Sequence, residues 1–326
     1  MKAFVFEQGE HKIKDMDVAA PQGKEVVVNL KAAGLNRRDL YISNRLGKEA
    51  AALIIGSDGA GIIEAVGSEV EQVNVGDEVI INPALRWETK SVAPPASFDI
   101  LGMPDHGTIA EKIVISQDQV EPKPEDLSWE EASVLALAGL TGYRALVTKG
   151  EVTEGQTVFI PGAGSGVATY MIQFAKAKGA KVIVSSRSKE KQEAALQLGA
   201  DRAIDTEADW DKELQDETID LVIDSVGEAT FNRSLQILKK GGRMVIFGAT
   251  AGDKAELDLR AFFYGQYQLL GSTMGSREEL QEMLAFALAH NIRPVLGKVF
   301  SLDEVNDAFA MLEENVQFGK LAITLP

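Results

Sequence analysis

The sequence predicts an α/β chain in two parts, a mainly antiparallel β half followed by a doubly wound parallel sheet with crossover helices. Three observations predict it. The chain has 326 residues, 45% of them hydrophobic and 25% charged, the composition of an ordinary globular protein, and at roughly 150 residues per domain it has room for about two domains. The first 120 or so residues carry short, partly alternating apolar runs broken by Gly, Pro and Asp. From Thr157 onward short apolar runs alternate with amphipathic segments, as buried parallel strands do with the helices that join them.

In the first half VVVNLKAA (26–33), GIIEAVG (61–67), DEVIIN (77–82) and AEKIVI (110–115) read as strands. The Pro-rich segment VEPKPEDLS (120–128) is a hinge, after which SWEEASVLALAGLTGYRALV takes helical spacing behind a Ser128 to Glu131 capping box. Then come TVFIPG, a helix over 167–178, KVIVSS, a helix over 189–198, RAID, DLVIDSVG, a helix over 229–239, GRMVIFG and a sixth strand, YQLLGST (267–273). The tail adds helices over 276–290 and 303–314 and a last strand, KLAITL (320–325), whose partner is open to either part. EADWDKELQDE (207–217) reads as a solvated helix face.

Charge and cysteine content narrow the function. The net charge is −16, a field that repels nucleic-acid phosphate and anionic lipid, so neither nucleic acid nor membrane is an expected partner. With no cysteine, disulfides, thiolate nucleophiles, iron–sulfur clusters and Cys-ligated zinc are all excluded. The start MKAFVFEQGEHKIKD has no apolar signal core and no apolar run reaches 18 residues, so the expected location is cytoplasmic. The sequon Asn232-Arg233-Ser234 is then a chance match.

The strongest chemical signal is TVFIPGAGSGVATYMIQFAKAKGAKVIVSSRS, which is strand, glycine turn, helix and strand within about 30 residues. Gly162, Gly164 and Gly166, with Ser165 between the last two, allow a tight turn close to a pyrophosphate, which would sit on the N–H groups of a helix beginning near Val167. The spacing is imperfect: counted from Gly162 the third motif position falls on Val167, and a small residue follows only at Ala168. A glycine turn without a nucleotide is the alternative. About 20 residues on, where NAD-binding units carry a carboxylate for the ribose 2′-hydroxyl, this chain has Ser185, Ser186 and Arg187, followed by Ser188, Lys189 and Lys191. Hydroxyls and a guanidinium fork suit a 2′-phosphate, so the expected cofactor is NADP(H). The alternative is that Arg187 and Lys191 are solvated cations at a helix start.

From Met1 to Pro326 the chain resembles the medium-chain dehydrogenase/reductase superfamily, the zinc alcohol dehydrogenase and quinone oxidoreductase group. The resemblance is carried by AAGLNRRDLY (32–41), GSDGAGIIEAVGSEV (56–70), VGDEV (75–79), GTIAEKIV (107–114), LTGYRAL (140–146), the glycine turn and DLVIDSVG. It implies a GroES-like catalytic domain over 1–124, completed by 272–326, with a Rossmann dinucleotide-binding domain over 125–271 inserted. It also implies a cleft active site, a small-molecule substrate and a homodimer or homotetramer. Near the cofactor it places Thr141, Lys320 and the strand ends Ser225-Val226-Gly227, Phe247-Gly248-Ala249 and Ser272-Thr273-Met274, any of which is otherwise a plain turn residue.

The departures from the group are informative. Zinc members typically have GxCHxD where this chain has Gly34 to Asp39, so Asn36 replaces a thiolate, and GHE where it has Gly56-Ser57-Asp58, so Ser57 replaces a histidine. The third ligand position falls among Leu137, Ala138 and Gly139, and no metal is expected. Without a Lewis acid, ionising an alcohol is hard, whereas hydride addition to a quinone or an α,β-unsaturated carbonyl needs only donors for the oxygen that gains charge. The expected function is therefore an NADPH-dependent quinone or enone oxidoreductase. A non-catalytic NADPH-binding sensor or scaffold, and an NADP-dependent alcohol or carbonyl dehydrogenase, are the alternatives. The N-x-x-D-x-Y pattern of zinc-free quinone oxidoreductases is here Asn36, Asp39 and Tyr41. Asn36 and Tyr41 are expected to face the acceptor oxygen or nicotinamide ribose, with Tyr41 or water as proton source. Asp39 orients the loop or serves as a helix cap, and Tyr41 has packing as its alternative. Ser57 and Asp58 are read as cleft lining or structural, Trp87 and Phe98 as lid or core, and His106 as an exposed loop residue.

Overall fold

The computed structural model describes every residue except Lys48 and Ala50. The chain divides into two compact units, Met1–Leu140 with Gly275–Pro326, and Thr141–Met274. The first boundary falls later than the expected 124/125 because the Trp129–Ser133 helix packs on the strands Glu25–Leu35 and Asp58–Val66. The chain returns at Gly275 rather than at 272.

The first unit is built on a seven-stranded sheet, counted among the described residues, in the order Val120–Pro122, Glu78–Ile81, Asp58–Val66, Glu25–Leu35, Lys320–Thr324, Leu296–Ser301, with Lys112–Ser116 also pairing the long central strand. Val26, Val28 and Leu30 recur at period two on that strand and are fully buried, which seats one of its faces in the core with Phe4, Ile42, Ile63 and Ile323. Register then gathers one end of three strands. Asp58 pairs with Gly34, and Leu321 pairs with Leu35, so Asn36, Asp58 and Lys320 arrive together from distant parts of the chain. Gly34 is required there, since a Cβ would lie 2.4 Å from the Ser133 carbonyl oxygen. The last strand thus finds its partner in the first unit, and the Leu296–Ser301 strand beside it, parallel, was not foreseen.

The N-terminal strands Lys2–Glu7 and Glu10–Asp15 form a hairpin that the sequence reading passed over. Its two-residue turn, Gln8-Gly9, has φ of 52° and 88°, the left-handed pair that matches strand twist.

The second unit holds six parallel strands, again among the described residues, ordered Arg202–Asp205, Lys181–Ser186, Thr157–Pro161, Ile219–Asp224, Leu238–Ile246, Gln268–Gly271. This is the doubly wound order, and the strand sequence reverses between Thr157–Pro161 and Ile219–Asp224, where such sheets bind ligands. The charge-rich segment at 207–217 is not simply a solvated face: its helix is only Trp210–Glu213, and Trp210 and Leu214 are buried. Trp210 packs edge-on against Phe159, with the Arg233 guanidinium 3.9 Å over its ring. Among the described residues no helix is long and apolar enough to cross a membrane.

Candidate functional site

In the first unit the strand end at Leu35 runs into a tight turn that opens the Asp39–Arg45 helix. Asp39 Oδ2 accepts the backbone N–H of Asn36 at 2.8 Å, so this carboxylate holds the turn closed. Around it lies a buried polar cluster. Asn36 is 7% exposed, Lys320 4%, and Asp39, Ser57 and Asp58 are fully buried. Asn36 Nδ2 donates to Asp58 Oδ2 at 2.9 Å, while Lys320 Nζ donates to Asn36 Oδ1 at 2.5 Å and to the Leu35 carbonyl at 2.7 Å. Lys320 Nζ also lies 3.5 Å from Asp58 Oδ2, whose other oxygen accepts the Leu137 N–H at 2.8 Å. Beside this set, Ser57 Oγ donates to the Leu101 carbonyl at 2.7 Å and sits 3.4 Å from Asp39 Oδ1, and Arg38 donates to both Ser57 Oγ and Leu101.

Burial sets the protonation. Loss of hydration pushes the Asp39 carboxyl up to about 6, against the pull of Arg38 and the Asn36 N–H. Burial likewise raises Asp58 and lowers Lys320, each opposed by the other's charge. Tyr41, two residues along the helix from Asp39, is 41% exposed and stands apart from the buried cluster. Trp87 belongs to the core at 2% exposure, packed against Phe98 at 5.2 Å. His106 is an exposed loop residue whose Nδ1 accepts the Ile54 N–H at 3.1 Å.

The second unit carries the glycine turn at its switch point. The Thr157–Pro161 strand ends at Gly162, whose φ of +82° only glycine adopts without strain. Gly162 and Ala163 donate their N–H groups to the Ser185 carbonyl, lacing the turn to the next strand end. Ser165 caps the Gly166–Ala177 helix by accepting the Ala168 N–H at 3.1 Å. The first-turn amides, those of Gly166 and Val167 included, have no i−4 carbonyl by position, which makes this end a ready cradle for an anion.

Of the residues expected to meet a 2′-phosphate, Lys191 reaches the same turn. The Lys191 stem lies over Gly164, where a Cβ would meet its Cδ at 2.5 Å. Burial, and after it the nearby Arg187 guanidinium, hold the Lys191 ammonium below its usual range. Ser186 Oγ accepts the Ser188 N–H at 3.2 Å, and Arg187 between them is exposed.

Across the switch point Val226 packs against Gly162. The Ser225-Val226-Gly227 turn is organised by a residue the sequence reading did not single out. Asp224 is fully buried, and its Oδ1 accepts the N–H groups of Val226 and Gly227 while its Oδ2 accepts the hydroxyls of Thr230 and Ser234. The signal was present as the last Asp of DLVIDSVG. Phe247 and Gly248 follow the next strand, with Gly248 against Ser225, and Ser272 and Thr273 follow the sixth. Among the described residues Ser272 Oγ is buried without a hydrogen-bond partner. Met274 and Thr141 are buried at the ends of this unit. The turn, the helix start and the strand ends fit a dinucleotide. Lys320, expected near the cofactor, directs donors to Leu35 and Asn36 in the first unit.

Comparison with known proteins decides the family. Residues 22–125 match the alcohol dehydrogenase GroES-like domain and residues 166–289 match the zinc-binding dehydrogenase family. The zinc-type alcohol dehydrogenase-like protein YogA of Leptosphaeria maculans is 32% identical over 94% of this chain and 92% of its own. The chain belongs to the medium-chain dehydrogenase/reductase superfamily. Its fold, a GroES-like unit and a Rossmann unit, is that of the superfamily, and it is an oxidoreductase built for a nicotinamide cofactor. A solved NAD-dependent alcohol dehydrogenase superposes with a TM-score of 0.92 at 35% identity, covering 100% of both chains. Crotonyl-CoA reductase of Streptomyces avermitilis is 30% identical over 83% of this chain and 67% of its own.

Proposed function

We propose that this member of the superfamily is an NADPH-dependent, zinc-independent reductase that transfers hydride to an α,β-unsaturated carbonyl or a quinone. The observation that carries the reading is the buried cluster at positions 36, 57 and 58. Its donor set does not suit zinc. It offers an amide and a hydroxyl where thiolate and imidazole are needed, its carboxylates are engaged by Arg38, Lys320 and backbone N–H groups, and an ammonium lies among them. No group of three or more His, Cys, Asp or Glu side chains is placed to hold a metal among the described residues. The crotonyl-CoA reductase likeness supports a conjugated acceptor, and Arg187 with Lys191 at the glycine turn supports the 2′-phosphate.

When bound, NADPH supplies a hydride to the acceptor's conjugated carbon, leaving negative charge on its oxygen. Asn36 has two amide hydrogens, and one of them is engaged by Asp58. The second is the donor we assign to that oxygen. Tyr41 on the solvent side, or a water beside it, returns the proton. Asp39 keeps the loop in place through the Asn36 N–H. The exposed Phe263 and Tyr264 next to the edge strand Gln268–Gly271 support assembly as a homodimer or homotetramer.

The test is consumption of NADPH and NADH by metal-stripped protein with quinones, alkenals, aldehydes and alcohols. NADPH-preferring turnover of quinones or alkenals is expected. Tight binding with no turnover would instead point to a sensor.

A further inference from the structure

Lys320 begins the last strand with an ammonium that is 4% exposed, a place where a cation survives only if its charge and donors are matched. They are matched by Leu35, by Asn36 Oδ1 and by the Asp58 carboxylate 3.5 Å away. Asn36 is therefore held between opposite charges, the cation at its oxygen and the anion at its nitrogen. Turning the amide over would set NH₂ against the ammonium and oxygen against the carboxylate, two repulsive contacts in place of two attractive ones, so its orientation is fixed.

We propose that Lys320 is a positioning residue for the reduction, which clamps and polarises the Asn36 amide so that its remaining N–H meets the oxygen that gains charge. This rests on the assignment of Asn36 to the acceptor oxygen. A charge-assisted bond at Oδ1 draws electron density from the amide nitrogen, and in a low-dielectric site that makes the opposite N–H a stronger donor. Positive charge thus reaches the acceptor through one amide rather than by direct coordination. Lys320 then has no need to touch the cofactor, in contrast to what the superfamily resemblance implied.

The test combines kinetics with the ¹⁵N-labelled asparagine side-chain spectrum of the full chain, with the Asn36 signals assigned by their loss in Asn36→Ala. Lys320→Met, of similar length but neutral, is expected to lower kcat about tenfold or more. NADPH affinity should stay within about twofold, and the Asn36 side-chain signals should shift. Should that variant fail to fold because Asp58 is left unpaired, Lys320→Met with Asp58→Asn removes the stranded charge, and the same losses are expected. Weakened NADPH binding with kcat unchanged would make Lys320 a cofactor contact and overturn the proposal. Normal turnover with unshifted Asn36 signals would overturn the clamp alone. A wild-type chain that turns over no acceptor would overturn the assignment of Asn36 and, with it, this role for Lys320.

Discussion

The two polar regions of this molecule are built on opposite plans. In the first unit Asn36, Asp39, Ser57, Asp58 and Lys320 engage one another, so the cluster is nearly closed and offers few donors outward. In the second unit the glycine turn works through backbone amides, with side chains such as Ser165 and Asp224 holding those amides in place. A closed side-chain network fixes one donor accurately for a small developing charge, whereas an open row of amides suits a large, permanent anion. Sites for chemistry and sites for binding diverge for that reason.

If the division is real, changes in the two regions should separate in kinetics. Asn36→Ala should lower kcat about 10² to 10³-fold, as loss of an oxyanion donor does, while NADPH affinity holds; a parallel loss of affinity would erase the contrast. Asp39 gives the next effect, read in stability. Its carboxyl titrates at about 6 when folded, against an ordinary value of 3.8. The unfolded chain therefore releases that proton first, and this residue makes stability fall as pH rises from about 4 to about 6, with a level course above. Asp39→Asn should remove up to about 3 kcal/mol of that slope in urea titrations at pH 4, 5, 6 and 7; identical slopes in variant and wild type would show that Asp39 titrates normally. On the other side of the comparison, Asp224→Ala removes the acceptor of the Val226 and Gly227 amides and of the Ser234 hydroxyl, while Thr230 keeps the Gly227 carbonyl. A cost of about 2 kcal/mol in denaturant midpoint is expected, together with weaker cofactor binding. The smallest effect is Arg187→Glu, which should weaken NADPH about tenfold and leave NADH nearly unchanged; equal shifts for both cofactors would remove the 2′-phosphate argument.

The second unit was the more legible in sequence, because parallel strands are continuous apolar runs and its turn chemistry is local. Its six strands and the glycine turn were all visible within windows of about 30 residues. The cluster was only half visible. Asn36 and Asp39 lie in one short stretch, but Asp58 and Lys320 join them through strand register, a long-range property that no local pattern records. The 207–217 segment was misread because a run of acids hid two apolar residues, Trp210 and Leu214, the first of them packed between Phe159 and Arg233. The N-terminal hairpin was missed because its second strand, EHKIKD, is largely polar and keeps only Ile13 as an apolar mark.

The register that places Lys320 beside Asn36 joins residues 284 positions apart. A ribosome delivers these two in a fixed order, with all of Thr141–Met274 emerging between them. The second unit can thus fold while the chain is still being made, and the cofactor cradle can exist before Asn36 has its ammonium. Until the Lys320–Thr324 strand is delivered, Asp58 is a carboxylate without its countercharge. On the role proposed for Asn36, chemical competence is then the last property the nascent chain acquires, because the contact that orients this amide waits for residue 320.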